Sequence, residues 1–281
     1  MSGETKSNGR KNKLDKFYTT KETVFKCLEM IDLLSYDCVI EPSAGNGSFS
    51  DEIPGCFAYD INPENKNIKQ ADWLKLDKNI FKCFKNILVI GNPPFGVQNN
   101  LAIKFFNESA SFCDTIAFIL PKSFRKNSIK NKLNLYFHLK KELLLDGDCF
   151  LIDGKRYSVP CTFQIWEKST QKRKKSKNKM TTPFFDFIKK NEGIPDIRIQ
   201  RVGGNAGKAC LSLDGSAQSN YFIRNNTILS NEELVKKINN LYFPNIKNTV
   251  GPKSLSKAEL IEVIEKELNT NLCKKVDNEE N

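Results

Sequence analysis

Residues 87–96 read Ile-Leu-Val-Ile-Gly-Asn-Pro-Pro-Phe-Gly, so an apolar run leads directly into an amide, two prolines and an aromatic ring. The apolar residues predict a buried strand that ends at this motif. Asn92 then offers a side-chain acceptor, while Pro93 and Pro94 fix their own φ angles and donate no N–H. Phe95 can stack on a flat, amino-bearing ring held at the strand end. A turn after a core strand explains Asn-Pro-Pro equally well, because Asn before Pro is a strong turn signal.

The chain has 281 residues, which suits one sizeable domain with an appendage, and its 39% apolar content is enough for a core. Its net charge of +11 favours polyanionic partners, and basic residues gather at 6–16, 122–141 and 172–179. No apolar run approaches the roughly 18 residues of a membrane span, and the N-terminus lacks the apolar stretch of a signal peptide. We therefore expect no membrane association and no secretion.

The number and spacing of the cysteines indicate the redox environment of the cellular compartment. The nine cysteines are an odd number with no Cys-x-x-Cys pair, and His138 is the only histidine in the sequence. This pattern argues against a metal site and against a disulfide framework, and it predicts reduced thiols in the cytoplasm or nucleus. Cys38 and Cys161 lie in apolar runs and are expected to be small core residues.

Apolar runs and helical spacing divide the chain into alternating elements. Residues 1–15 form a basic N-terminus that is expected to be disordered, and a first helix is expected to start at the N-cap candidate Thr20. Buried strands are predicted at 37–40, 56–59, 87–90 and 115–120, with a crossover helix at 101–112. The segments 150–152 and 162–166 are predicted to be the last strands, including an antiparallel pair. This order predicts an α/β fold with a mostly parallel sheet and helices on both faces.

Composition changes sharply after residue 168. Residues 169–179 are charged and show no apolar pattern, so residues 16–168 are taken as the main domain and 169–180 as a basic linker. Residues 181–281 then form a small α+β appendage that is a candidate for nucleic-acid binding. Strand-like segments at 196–202 and 221–224 are followed by a helix at 231–240, and Ser254 or Ser256 is expected to cap a last helix.

A second motif lies upstream of the Asn-Pro-Pro motif. After a strand that ends at Ile40, residues 41–47 read Glu-Pro-Ser-Ala-Gly-Asn-Gly, whose small side chains let the backbone approach a ligand closely. The loop lacks the Lys-Ser/Thr pair of a phosphate-binding loop. A ligand with an amine or hydroxyls is therefore preferred over a nucleotide phosphate.

Acidic residues follow the next two strands. Asp60 ends a strand at the place where α/β folds bind ribose hydroxyls, because its oxygens accept from both the 2′ and 3′ groups. Asp72 can accept from an adenine amino group while Trp73 or Ile61 covers a face of that base. Taken singly, Asp60 fits a turn, Asp72 a helix cap and Trp73 a core residue; together they favour a cofactor site.

With these residues in place, the chain resembles the class I S-adenosylmethionine-dependent methyltransferases of the amino-group type, including the nucleic-acid N6-adenine enzymes. Glu41 to Gly47 is similar to their cofactor loop and Asn92 to Phe95 to their catalytic motif. Phe17-Tyr18-Thr19-Thr20 is similar to the segment that closes over the methionine moiety, although Thr20 departs from the usual proline. The resemblance covers about residues 16–168 and implies a Rossmann-like seven-stranded sheet. It also implies S-adenosylmethionine as cofactor, contacted by Tyr18, Thr19, Glu41, Ser43, Ala44, Gly45, Gly47, Asp60, Ile61, Asp72, Trp73 and Asn92, with Asn92, Pro93, Pro94 and Phe95 as catalytic residues.

The expected reaction is methyl transfer to the N6 amine of adenine in DNA or RNA. The segment that follows residue 120 mixes cations with an aromatic ring, and Lys122, Phe124, Arg125 and Lys126 are predicted to contact the substrate near its phosphates. An ordinary solvated basic loop is the alternative. Three other functions stay open: methylation of a protein glutamine amide, methylation of cytosine N4, and a non-catalytic nucleic-acid-binding subunit. The short appendage also leaves room for a protein partner that recognises the target.

Residues 201–209 are rich in glycine but do not form a phosphate-binding loop of an NTPase. Val202 stands where the first glycine is required, and Ala209 stands where Ser or Thr is required. A cationic loop that contacts nucleic acid and a plain tight turn both remain open readings of this segment.

Overall fold

A computed structural model describes residues 17–145, 147–152, 154–176, 179–189, 192–249 and 251–268. The chain forms two compact units. The first comprises the chain up to Pro121 together with Asn131–Lys174, and the second comprises Lys122–Lys130 together with the chain from Lys175. The predicted basic N-terminus, residues 1–15, lies outside the described residues.

The elements of the first unit follow one another in a mostly alternating order. They are β1 (Tyr18–Thr19), α1 (Lys21–Leu28), β2 (Cys38–Glu41), β3 (Phe57–Asp60), β4 (Lys69–Gln70), β5 (Ile87–Gly91), α2 (Asn100–Ser109), β6 (Thr115–Pro121), then, after α3 (Asn127–Lys130) of the second unit, β7 (Phe137–Leu145), β8 (Phe150–Ile152), β9 (Lys155–Tyr157) and β10 (Cys161–Lys168). Thr20 caps α1 as predicted, since its side chain accepts from the backbone N–H of Thr23.

Seven strands form the central sheet in the order β4-β3-β2-β5-β6-β10-β7. The pairs from β4 to β6 are parallel, and β10 is antiparallel to both β6 and β7. This confirms the predicted α/β, Rossmann-like fold. From β2 the chain adds β3 and β4 on one side and then β5 and β6 on the other, so the strand order reverses between β2 and β5. In such sheets the ligand crevice lies outside the carboxyl ends of the strands at this reversal.

Two expectations about the sheet are wrong in detail. Residues 150–152 do not belong to the main sheet, because β8 pairs with β1 and β9 in a separate three-stranded sheet. The antiparallel partner of β10 is instead β7, which carries lysines at 140 and 141 and the only histidine. Charged side chains are typical of an edge strand, and they hide the apolar run by which a strand is recognised.

The crossovers are shorter than expected. Helix α2 spans the connection from β5 to β6, close to the predicted 101–112. The connections before β3 and before β5 contain only 3₁₀ turns, at Ser50–Glu52 and Lys78–Phe81. Pro54 and Gly55 leave too few helix-forming residues between β2 and β3 for a regular helix.

The core of the first unit packs α1 against the sheet. Val24 and Cys27 of α1 lie in one buried cluster with Leu88, Ile119 and Phe163 of the central strands. All eight described cysteines carry free thiols, and Cys38 and Cys161 are buried as predicted. Burial raises the pKa of the Cys38 thiol to about 11. Within the described part of the chain, every helix is too short or too polar to cross a bilayer.

The second unit has an antiparallel sheet and two longer helices. Its further elements are β11 (Phe185–Phe187), β12 (Ile197–Gln200), β13 (Ala209–Cys210), β14 (Asn220–Asn225), α4 (Asn231–Asn240) and α5 (Lys257–Glu267). The strand order is β11-β14-β12-β13. Both helices begin with a capping box, Ser230 with Glu233 and Ser256 with Glu259, so the predicted start of the last helix is Ser256. This is the expected α+β organisation.

The division into units differs from the predicted boundaries at two segments. Residues 122–130 belong to the second unit although strands of the first unit precede and follow them. The start of the predicted linker belongs to the first unit, where the Arg173 guanidinium donates to the carbonyl of Phe137 over 2.6 Å and lies 5.2 Å from the Trp166 ring. His138 also has a structural contact, since its Nε2 lies 2.8 Å from the carbonyl of Gln171.

Candidate functional site

A cavity of about 350 Å³ opens at the carboxyl ends of β2, β3 and β5, where the strand order reverses. It is lined by every residue predicted for the catalytic motif and by every residue predicted for the cofactor except Gly47. Four carboxyl side chains line it, those of Glu41, Asp60, Glu64 and Asp72, and the described lining residues include no Lys, Arg or His. Such a surface suits a ligand with cationic groups and hydroxyls, and disfavours phosphate.

Glu41 ends β2 and is almost completely buried. The backbone N–H of Ser50 donates to its Oε2 over 2.8 Å, but burial prevails and raises the pKa of Glu41 to about 8. Gly91 ends the neighbouring strand with a φ of +142°, and a Cβ there would stand 3.1 Å from the Cγ of Glu41. A glycine before Asn92 therefore lets the two strand ends approach each other.

The loop after Glu41 is fixed by Asp60 at the end of β3. The backbone N–H of Gly45, at a φ of +56°, donates to Oδ2 of Asp60 over 2.8 Å. The N–H of Asn62 donates to Oδ1 over 2.7 Å. Two backbone donors hold the carboxylate in place, and each oxygen retains a further lone pair for a ligand hydroxyl. Asp60 is thus a turn residue and an acceptor at the cavity, so the two readings of the sequence are compatible.

Gly47 has a different environment from the one predicted. Its φ is +97°, and a Cβ at this position would meet the Asp51 carboxylate at 2.8 Å. It lies outside the lining of the cavity. The glycine lets the loop close against Asp51, and its predicted contact with the cofactor does not fit this placement.

Asn92 has one satisfied and one unsatisfied end. Its Nδ2 donates to the backbone carbonyl of Phe17 over 3.0 Å, whereas its Oδ1 is buried and has no hydrogen-bond partner among the described residues. A carbonyl can only accept, so the contact with Phe17 fixes which end of the amide is the oxygen. The site therefore holds a buried acceptor that a ligand amine can satisfy. The hydroxyl of Ser43 donates to the backbone carbonyl of Asn92 over 3.2 Å and steadies the same residue.

Ile61, Asp72 and Trp73 also line the cavity. Trp73 is 1% exposed and packs against Tyr59, with the Lys78 ammonium 4.5 Å from its ring, so it is a core residue as well as a wall. Asp72 accepts from the N–H of Leu74 over 3.1 Å and is therefore a turn residue. It is not a helix cap, because the side chain that caps the 3₁₀ helix Lys78–Phe81 is that of Asp77. Ile61 is 56% exposed and leaves an apolar side chain at the rim.

Several lining residues escaped the sequence analysis. The hydroxyl of Tyr18 donates to Oε1 of Glu64 over 2.6 Å, and the N–H of Glu64 donates to the carbonyl of Gly45 over 2.9 Å. These contacts join the Phe17 to Thr19 segment to the cofactor loop. Leu101 and Phe105 of α2 add an apolar wall. The apolar spacing of α2 was visible in the sequence, but Glu64 lies in a polar loop with no recognisable pattern.

The predicted substrate-binding segment lies in the second unit. Phe124 is fully buried, so the prediction that its ring contacts a substrate is wrong for this conformation. The Lys126 ammonium lies 3.4 Å from a carboxylate oxygen of Glu259, and its side chain is 12% exposed. Lys122 and Arg125 are partly exposed, and their role in substrate binding remains a prediction.

The arrangement suits binding and positioning of an organic ligand. In the described ranges no group of three or more His, Cys, Asp or Glu side chains is placed to hold a metal ion. The lining of the cavity instead combines fixed acceptors such as Asp60 with apolar and aromatic side chains, and it includes both Phe95 and the unsatisfied Asn92 amide.

Comparison with known proteins gives distant likenesses. No family model matches the sequence. The protein ENHANCED DOWNY MILDEW 2 of Arabidopsis thaliana is 24% identical over 123 residues, which are 40% of this chain, and the chain spans 10% of that relative's length. Among solved structures, a Pyrococcus horikoshii protein provisionally assigned as an RNA methyltransferase has a TM-score of 0.42 at 15% identity, covering 57% of this chain and 91% of its own. A provisionally assigned type I restriction enzyme modification subunit from Vibrio vulnificus has a TM-score of 0.42 at 17% identity, covering 55% of this chain and 45% of its own.

Proposed function

We propose that the first unit transfers a methyl group from S-adenosylmethionine to the exocyclic N6 amine of adenine in a nucleic acid. The observation that carries the proposal is the buried Oδ1 of Asn92, an acceptor without a partner among the described residues, in the same cavity as Phe95. A buried polar atom of this kind costs free energy in the folded protein and commonly marks a functional site. An amino group of a substrate would satisfy it.

The lining of the cavity fits the proposed cofactor. S-adenosylmethionine carries a sulfonium, an ammonium and a carboxylate group, and its net positive charge suits a lining with the carboxylates of Asp60, Glu64 and Asp72 and no described Lys or Arg. Asp60 would accept from the ribose hydroxyls with the lone pairs that its backbone donors leave open. Ile61 and Trp73 would cover the adenine of the cofactor, and Asp72 would accept from its amino group. Tyr18 and Thr19 would close over the methionine moiety.

The chemistry asked of the protein is positioning and charge stabilisation. The cofactor supplies an electrophilic methyl group whose bond to sulfur breaks as the bond to nitrogen forms. An aryl amine is a weak nucleophile because its lone pair is delocalised into the ring. Asn92 Oδ1 and the backbone carbonyl of Pro93 would accept its two hydrogens, direct the lone pair out of the ring plane and stabilise the positive charge that develops on nitrogen. The extra proton then leaves to water.

Phe95 would hold the acceptor base. A base in a polynucleotide must leave its stack before it can enter a cavity, and stacking on an aromatic side chain recovers about 1–3 kcal/mol. Phe95 is partly buried against the apolar core of the first unit, so its ring has a fixed place from which to stack. The net charge of +11 supports a polyanionic substrate over a neutral peptide.

The test is transfer of radiolabelled methyl from S-adenosylmethionine to matched pools of DNA, RNA and capped RNA, followed by nucleoside analysis. We expect label in N6-methylated adenine nucleosides with the wild-type chain and none above background with Asn92→Ala. Label in methylated cytosine nucleosides would show that the acceptor is cytosine and not adenine. Label only in protein, or equal transfer by the Asn92→Ala variant, would refute the proposal.

A further inference from the structure

Three loops of the second unit concentrate positive charge. Residues 122–130 contain four Lys or Arg, residues 201–208 contain two and residues 245–255 contain two, and none of the three segments contains an Asp or Glu. The acidic residues near the end of this unit lie instead on the helices, as in Glu232 and Glu233 of α4 and Glu259 of α5. The three loops therefore carry positive charge only, whereas α4 and α5 carry charges of both signs.

The loop 122–130 is bound to the loop 245–255. The Arg125 guanidinium donates to Oδ1 of Asn248 over 3.1 Å, and the Lys126 ammonium donates to the carbonyl of Ser254 over 3.1 Å. Glu259 balances the charge of Lys126 at 3.4 Å. Lys126 is thus a structural contact, and it holds the remaining cations of its segment next to those of the second loop.

The loop 201–208 is bound to the same segment. The N–H of Gly203 donates to the carbonyl of Lys253 over 2.9 Å, and the Lys253 ammonium donates to the carbonyl of Gly204 over 3.3 Å. Val202 and Ser254 form a β-bridge beside these contacts. Segments that are far apart in the sequence therefore form one continuous surface, which we call the three-loop surface. Its exposed cations include Lys208, Lys247 and Lys253.

We propose that the three-loop surface binds the phosphate backbone of a nucleic acid. Exposed cations on loops that are bound to one another create a positive potential that attracts a polyanion, and the carboxylate of Glu259 at these contacts is paired with Lys126. An ammonium has three donors, so Lys253 can keep its contact with Gly204 and still donate to a phosphate oxygen. The described part of these loops contributes backbone and lysine donors, which is typical of contacts that position a strand without reading its sequence. The inference concerns the second unit and does not require the methyl-transfer site.

The test compares two double variants that remove the same charge. Lys247→Gln with Lys253→Gln alters the three-loop surface, whereas Lys236→Gln with Lys237→Gln alters two exposed lysines of α4. Binding of the full chain to labelled single-stranded RNA, single-stranded DNA and duplex DNA is measured by fluorescence anisotropy over a range of KCl concentrations. Thermal unfolding and S-adenosylmethionine affinity check that each variant is folded.

For a single strand, each lost phosphate contact lowers the salt slope by about 0.7, so the surface variant should lose about 1.4 and bind about 25-fold more weakly at 0.1 M salt. The α4 variant should keep the wild-type slope. Equal losses in both variants, or a surface variant that keeps the wild-type affinity and salt slope for nucleic acid, would overturn the inference. The RNA and DNA arms identify the polymer. If binding depends on Lys247 and Lys253 but no methyl group is transferred, the proposed function fails and this inference stands.

Discussion

Substituting Asn92 by alanine should separate catalysis from stability. The buried Oδ1 has no partner among the described residues, and an unsatisfied buried acceptor costs about 1–3 kcal/mol. The Nδ2 contact with the Phe17 carbonyl, at 3.0 Å, contributes about 0.5–1.5 kcal/mol, and its loss leaves that carbonyl without its donor. Removal of the unsatisfied Oδ1 stabilises the folded variant, and loss of the Nδ2 contact destabilises it by a similar amount. We therefore expect the free energy of unfolding of Asn92→Ala to stay within about 1 kcal/mol of the wild type.

Turnover should respond very differently. Removing one pre-organised group that faces developing charge typically lowers kcat by about 10²–10³, equivalent to about 2.7–4 kcal/mol. Because other lining residues, among them Asp60 and Ile61, are proposed to supply most of the cofactor contacts, cofactor affinity should change by less than about threefold, or about 0.7 kcal/mol. The measurements are single-turnover methyl transfer, cofactor titration by calorimetry and urea unfolding.

Asn107 provides the matched control. Its amide is satisfied at both ends, donating to the carbonyl of Lys132 over 3.0 Å and accepting from the N–H of Asn134 over 2.7 Å. Asn107→Ala should therefore lose about 1–3 kcal/mol of stability and keep its turnover. The reasoning is refuted if Asn92→Ala unfolds as easily as Asn107→Ala, or if it retains wild-type turnover.

Three further substitutions test other parts of the cavity. Phe95→Ala should raise the KM for nucleic acid by about 5- to 150-fold, because about 1–3 kcal/mol of stacking is lost. Phe95→Tyr keeps the ring, so its KM should stay near that of the wild type. Equal KM values for Phe95→Ala and the wild type would contradict this. In Asp60→Asn, an NH₂ group faces one of the two backbone N–H donors that the carboxylate accepts from. The variant should lose about 1–3 kcal/mol of stability and bind the cofactor about tenfold or more weakly. Asp77→Asn, at an exposed position, is the control. Burial raises the pKa of Glu41 from 4.5 to about 8, so the unfolded chain ionises first and stability should fall by about 1.4 kcal/mol per pH unit between these values. Glu41→Gln should flatten that slope in urea unfolding, and an unchanged slope would show that Glu41 is ionised in the folded protein.

Four of the five parallel strands, β2, β3, β5 and β6, could be predicted from the sequence to within about one residue, whereas the two-residue β4 is exposed and was not predicted. Strands such as β5 and β6 are buried along their whole length, so each is an uninterrupted apolar run. Strand β7 could not be predicted, because four of its nine residues are only partly buried and three more are exposed. Its identity as a strand depends on its pairing with β10, and pairing between distant segments has no local signal.

The candidate site was predicted as a set of residues, but not as a set of contacts. Asn92 and Asp60 were recognisable because they follow apolar strands. The partner that orients Asn92 is a backbone carbonyl, and any residue at position 17 would provide one. The membership of residues 122–130 in the second unit was also hidden, since Lys126 and Glu259 are more than a hundred residues apart.

Two independent features agree on where the site lies. The strand order reverses between β2 and β5, which by topology alone puts a ligand crevice beside Glu41 and Asn92. The buried Oδ1 of Asn92 marks the same place by energetics, because folding has left a strong acceptor unsatisfied there although the nearby Asp60 has donors on both oxygens. A loop that only needed to turn would not require Gly91 to bring Glu41 and Asn92 together, nor an unsatisfied amide at its tip. The simple turn reading of Asn-Pro-Pro therefore explains the backbone of this motif and fails to explain its side chain.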